Sequence, residues 1–153
     1  MRYMWGQHPA YGAPFLSGDC RLVLPATRYL PHGAKDAEEW PGEIAISPEH
    51  ERLFAMGYLS RLREGWYELH NQKLGFGVRW SWPLDVFPHV WLWRELRGSF
   101  GYPWYGRCYV MGVEPFTSVP GSGLLNAIEQ GTAPELAAGA SVSATFEVEM
   151  IPV

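Results

Sequence analysis

Two short segments hold the residues whose chemistry stands out: Trp5-Gly6-Gln7-His8-Pro9 and Gly112-Val113-Glu114-Pro115. Each sets a titratable side chain directly before a proline, beside apolar and aromatic sequence. A residue before proline is pushed out of the helical region into extended backbone. His8 and Glu114 are therefore expected on extended chain, at or near strand ends. An imidazole titrates near neutrality, so a histidine and a glutamate held this way suit a general acid and a general base. They lie far apart in sequence, and only the fold can bring them together.

Each residue also has an ordinary reading. An isolated histidine is more often structural than catalytic. The turns and rings around His8 (Trp5, Gly6, Pro9, Tyr11, Gly12 and Pro14) are nevertheless able to desolvate an imidazole. Glu114 follows the apolar run Tyr109-Val110-Met111-Gly112-Val113, where burying a carboxylate is costly unless it is paired or used. The alternative is a salt bridge to Arg107 or Arg94, or an exposed acid at a strand end. The densest aromatic stretch is Val90-Trp91-Leu92-Trp93-Arg94-Glu95-Leu96, with Gly101-Tyr102-Pro103-Trp104-Tyr105-Gly106 after it. It lines a sugar-stacking cleft, with Arg94 or Glu95 bonding hydroxyls, or it is a core strand followed by an aromatic loop. One of Trp91 and Trp93 is expected in the core and the other near a pocket. His32, His50, His70 and His89 share no metal-ligand spacing and read as structural or exposed. No nucleophile-elbow motif is present. Leu74-Gly75-Phe76-Gly77-Val78 lacks the spacing of a phosphate cradle and reads as a strand.

The elements that must position these residues are mostly strands. Val142, Ala144, Phe146, Val148 and Met150 alternate with Ser143, Thr145, Glu147 and Glu149, which predicts a half-buried antiparallel strand. Further strands are predicted at 2–5, 20–24, 53–59, 65–70, 74–80, 89–96 and 107–113. Val90, Leu92 and Leu96 point one way and Trp91 and Trp93 the other, so 89–96 belongs inside a packed sheet. A short helix is predicted over 124–130, stopped by Gly131, with one helical turn at Ser47–Arg52. Residues 32–42 read as a solvated loop.

The 153 residues suit one domain, 1–153, with no repeat or linker. Eight Trp, eight Tyr and seven Phe favour half-buried sheet surfaces and offer stacking platforms for sugar rings. Seventeen Gly and thirteen Pro argue against long helices. A net charge of −4 without a basic run excludes nucleic acid as an expected partner, and no apolar stretch suggests a membrane span. Cys20 and Cys108 read as small buried apolar residues. With no signal-peptide layout at the start, a cytoplasmic setting is expected. The strand-like sequence begins at once, as in a fragment of a longer chain.

Trp5-Gly6-Gln7-His8-Pro9-Ala10-Tyr11-Gly12-Ala13-Pro14-Phe15-Leu16 resembles the histidine motif of the galactose mutarotase-like (aldose 1-epimerase-like) superfamily, in its bacterial branch. Leu74–Trp80, Val90–Glu95 and Gly112–Ser118 fit the same family in the same order, as do Ala127–Thr132 and Leu136–Gly139. The match covers nearly the whole chain but only the family's C-terminal half.

The resemblance implies an all-β, mainly antiparallel part of a β-supersandwich with one or two short helices. It implies anomer interconversion, with His8 as acid and Glu114 as base. It implies no metal and no cofactor. Trp5, Gln7, Trp93, Arg94 and Trp104 are the expected substrate-binding residues, and a monosaccharide or sugar derivative is the expected ligand. The alternative is a non-catalytic carbohydrate-binding β-sandwich. The family's sugar-binding aspartate has only Asp85 as a poor counterpart, and its arginine and second histidine lie in the N-terminal half. That half, or self-association through open sheet edges, is expected to complete the protein.

Overall fold

A computed structural model describes residues 1–153. Eleven strands and one short helix form two antiparallel sheets packed face to face, a β-sandwich. The strands are β1 (Ala10–Gly12), β2 (Cys20–Val23), β3 (Arg28–Pro31), β4 (Glu38–Glu39), β5 (Glu43–Ala45) and β6 (Leu53–Ser60). They continue with β7 (Trp66–Asn71), β8 (Phe76–Ser81), β9 (His89–Leu96), β10 (Tyr109–Phe116) and β11 (Glu147–Pro152). The helix α1 (Leu124–Glu129) follows β10. One sheet runs β1-β10-β9-β6-β3-β4 and the other β11-β8-β7-β2-β5.

The alternation along β9 and β10 decides what lies on each face. Val90, Leu92 and Leu96 of β9 join Tyr109, Met111 and Val113 of β10 in the core between the sheets. Leu22, Tyr67 and Leu69 meet them from the other sheet. The opposite face of the larger sheet carries Trp91, Trp93 and Glu95 from β9 and Gly112 and Glu114 from β10. Both Trp91 and Trp93 thus leave the core, and neither fills the interior position expected for one of them.

Several boundaries differ from expectation. The strand expected at 2–5 reduces to isolated bridges, Arg2 with Glu135 and Gly6 with Phe116. The strand expected at 107–113 runs on through Glu114 and Pro115 to Phe116, so Glu114 sits inside a strand rather than at its end. Ser47–Arg52 forms one hydrogen-bonded turn, Glu51 N–H to Pro48 carbonyl, rather than a helical turn. The stretch 32–42 contains β4, and its Trp40 is buried, donating Nε1–H to the Leu24 carbonyl at 3.1 Å. Polar neighbours hid that buried ring.

The predicted terminal strand is the largest departure. Only 147–152 pairs, against β8. Val148 and Met150 face the core side opposite Trp80 and Val78, yet Met150 is 75% exposed. The facing sheet ends at β1, which reaches β7 through a Tyr11–Tyr67 hydroxyl contact of 2.7 Å. The core side of β11 is left bare. No helix is long and apolar enough to cross a membrane.

Leu92→Ala is expected to cost about 2–5 kcal/mol in denaturant unfolding, because it opens a cavity at a fully buried position. Met150→Glu is expected to change stability by no more than about 0.5 kcal/mol. A comparable loss at Met150 would mean that another chain covers β11 in solution.

Candidate active site

Register brings His8 and Glu114 together. Ala10 pairs with Gly112 and Gly6 with Phe116, which sets His8 directly across from Glu114. The bonds flanking the pair are Gln7 N–H to the Pro115 carbonyl (3.0 Å) and Val113 N–H to the Pro9 carbonyl (3.2 Å). His8 and Glu114 themselves exchange no backbone bond, the arrangement in which opposite side chains lie closest. The two prolines explain the local irregularity. Pro9 and Pro115 stand where each would donate a second bond across this gap, and neither has an N–H to give. The ladder is halved, while the extended backbone that proline imposes on its predecessor is kept. Pro115 does not disturb pairing with β9, since its nitrogen faces the outer neighbour.

The side chains meet at 3.3 Å, His8 Nε2 to Glu114 Oε1. Their surroundings differ sharply. Glu114 is 3% exposed, whereas the His8 side chain is 58% exposed. Burial pushes the Glu114 carboxyl above its ordinary value of 4.5, and the neighbouring imidazole opposes that push. No arginine binds Glu114; the salt bridges of Arg97 and Arg79 go to Glu49 and Glu68. Gly112, two residues before Glu114 on the same face, leaves the space that Glu114 Oε1 occupies. That glycine was not among the expected site residues. A glycine at i−2 from a buried acid on one strand is the signal that would have found it.

The expected sugar-binding residues divide by face. Trp93 stands across from Gly112, with its ring 6.0 Å from the His8 ring and edge-on. Trp104 packs on Trp93 at 5.5 Å. These two form one aromatic wall beside the acid–base pair. The other three do not join them. Trp5 turns inward and packs edge-on against Phe87 at 4.8 Å, because residues 5 and 8 fall on opposite sides of an extended chain. Gln7 alternates away from His8 for the same reason. Arg94 shares the core-side parity of Leu92 and Leu96, opposite Met111 and Ala55, and its Nε is buried without a partner.

Beyond Glu114 the row across the sheet continues through Trp91 and Tyr58. Trp91 is stacked face to face on Phe116 at 3.6 Å, and its Nε1–H reaches the Ser118 carbonyl at 2.9 Å. This stack closes one end of the site. Of the other histidines, His70 binds Glu68 at 2.8 Å and His32 meets the Tyr58 hydroxyl at 2.5 Å. Burial lowers His89 to about 4, so it is uncharged at neutral pH.

A family model described as a domain of unknown function, DUF4432, matches residues 1–150. No curated protein matches the chain. Among solved structures, the Slr1438 protein from Synechocystis sp. PCC 6803 aligns with a TM-score of 0.74 at 15% identity, over 100% of this chain and 46% of that one. A candidate aldose 1-epimerase from Klebsiella pneumoniae aligns at 0.66 and 16% identity, over 99% of this chain and 38% of that one. A galactose mutarotase-like protein from Lactobacillus casei aligns at 0.62 and 15% identity, over 99% and 53%. The likeness is one of fold. The chain spans about half or less of the length of these structures.

The raised carboxyl has a signed consequence for stability. A carboxyl whose pKa is higher folded than unfolded binds more protons in the folded state. Its contribution is full at low pH and is lost as pH rises through the raised value. Glu114→Gln is therefore expected to leave the melting temperature unchanged below pH 4.5 and to raise it at neutral pH. A lower melting temperature at neutral pH would show that the contact with His8 outweighs the cost of burial.

Proposed function

The chain belongs to the DUF4432 family, and we propose that it forms the acid–base part of an aldose 1-epimerase-like enzyme that interconverts sugar anomers. The observation that carries this reading is the 3.3 Å contact between an exposed histidine and a buried glutamate, beside an aromatic wall. Anomer interconversion needs two proton transfers on oxygens attached to one carbon. A pair this close serves two such neighbouring oxygens, and a pair held a strand or more apart does not.

In the proposed reaction, His8 as imidazolium gives a proton to the ring oxygen while Glu114 as carboxylate takes the proton of the anomeric hydroxyl. The bond between the anomeric carbon and the ring oxygen breaks, leaving an aldehyde and a free hydroxyl. Rotation about the adjacent carbon–carbon bond turns the other aldehyde face to that hydroxyl. On closure His8 recovers its proton from the hydroxyl and Glu114 returns its own to the carbonyl oxygen. Both groups end as they began. Desolvation supports Glu114 as base, since a carboxyl raised toward the working pH accepts a proton more readily. Trp93 and Trp104 stack against the apolar face of the sugar.

Residues 1–153 are read as one domain, corresponding to the C-terminal half of a larger supersandwich. The bare core side of β11 supports this, since further strands or a second copy laid there would bury Val148 and Met150. The ligand is a monosaccharide or sugar derivative.

In the full-length protein, His8→Ala or Glu114→Ala is expected to slow mutarotation by about 10²–10⁴-fold, with unfolding midpoints little changed. Polarimetry of a freshly dissolved sugar reads this directly; unchanged rates refute the assignment. Sugar binding with no acceleration by the wild type would favour a carbohydrate-binding module. Gly112→Ala places a methyl group where Glu114 Oε1 lies, and is expected to lower kcat more than it raises KM. An unaltered kcat would mean that the carboxylate position does not limit the reaction.

A further inference from the structure

Glu95 is the charged side chain on the site face of β9 that the proposed reaction does not use. It is 0% exposed and pairs with no cation, an arrangement that costs free energy unless the carboxylate is well bonded. Both its oxygens bind a single residue. Oε1 accepts the Ser99 backbone N–H at 3.0 Å and Oε2 accepts the Ser99 hydroxyl at 2.5 Å. Glu95 was a candidate for bonding sugar hydroxyls; its burial removes it from that role.

Ser99 is the first residue of the loop that carries the aromatic wall. The chain leaves β9 through Arg97 in the left-handed region, at φ +61°. Gly98 then lies against the backbone of Leu53 and Phe54, where a side chain does not fit. Arg97 N–H bonds the Cys108 carbonyl and Gly106 N–H bonds the Ser99 carbonyl, each at 2.7 Å, closing the base of the loop. Within it, Trp104 packs on Trp93, while Tyr102 and Tyr105 stand exposed, 6.1 Å apart and edge to face. Inside it the Trp104 and Tyr105 N–H groups both bond the Gly101 carbonyl, and Arg107 N–H bonds the Trp104 carbonyl, each at 3.0 Å. These bonds stay within the loop, so how the loop sits against the sheet depends on its base.

We propose that Glu95 is a positioning residue, and that its clasp on Ser99 holds loop 99–106 as the aromatic wall against which the apolar face of the sugar stacks. This rests on the sugar reading of the His8–Glu114 pair. The clasp acts on binding rather than on proton transfer, so its loss appears in KM and not in kcat. Glu95→Gln keeps an acceptor for the Ser99 N–H and an amide donor for its hydroxyl, and so keeps the clasp.

The test uses the full-length protein with Glu95→Ala, Glu95→Gln and Ser99→Ala. Three quantities are read: trypsin cleavage after Arg107, kcat and KM by polarimetry, and sugar affinity from tryptophan fluorescence. Glu95→Ala is expected to speed cleavage after Arg107 and to raise KM and Kd about three- to tenfold, with kcat within about twofold. Glu95→Gln is expected to restore both readouts, and Ser99→Ala to show a smaller effect of the same kind; Ser99→Ala carries the test if Glu95→Ala does not fold. Cleavage unchanged in both truncations overturns the clasp. A loosened loop with unchanged KM and Kd overturns its role as the wall. A wild type that binds sugar without turning it over refutes the epimerase reading alone, since the fluorescence titration still decides the wall; a wild type that binds no sugar overturns the wall itself.

Discussion

The register between the segment ending at Pro9 and strand β10 is the constraint on which the candidate site depends. A slip of one residue would put His8 opposite Val113 or Pro115 and turn its side chain toward the core. The apolar alternation of Tyr109, Met111 and Val113 prevents such a slip, because the slipped register would also carry Trp5 and Tyr11 out of the core. The acid–base pair is thus aligned by residues that touch neither member of it. The two prolines act on the same few atoms. They remove donors from the ladder next to the pair and hold extended backbone around it.

The site concentrates opposing electrostatic demands within one cross-strand pair. Glu114 is almost wholly out of water, and His8 is mostly in it. Burial favours the neutral acid, while the imidazole favours the anion. Such a balance is unfavourable for stability and useful for moving a proton, a combination expected at sites of acid–base chemistry rather than in purely structural pairs. Glu95 offers the contrast on the same sheet. It is equally buried, but both its oxygens are engaged by Ser99, and its titratable neighbour, the Cys108 thiol, is pushed up by burial and by the Glu95 charge. One acid is left reactive and the other is fastened.

Parity along the strands was legible in the sequence, and it carried much of the reading. The split of Val90, Leu92 and Leu96 from Trp91 and Trp93 follows directly from a period of two. So does the placing of Trp93 near His8 once the strands pair. The same rule separates Trp5 and Gln7 from His8, and Arg94 from Trp93. Trp5 and Gln7 stood with His8, and Arg94 with Trp93, by nearness in sequence, whereas adjacent residues of a strand face opposite ways. The short strands β1, β3, β4 and β5 gave little signal, since two to four residues show no clear period. The terminal alternation from Val142 to Met150 pointed to a buried face, yet the first half does not pair and the second is bare. Alternation specifies which side of a strand is apolar and says nothing about whether anything covers that side.

The sequence by itself determined the all-β class, the core faces of the long central strands, and the extended, proline-flanked setting of His8 and Glu114. It could do so because propensity, alternation and proline geometry are local. Only the tertiary structure decided that the two meet, that one is buried and the other exposed, that Gly112 makes room for the carboxylate, and that Glu95 is locked onto Ser99. Those outcomes depend on which strands become neighbours and in what register. That choice is made by the packing of the whole sandwich, which no window along the chain contains.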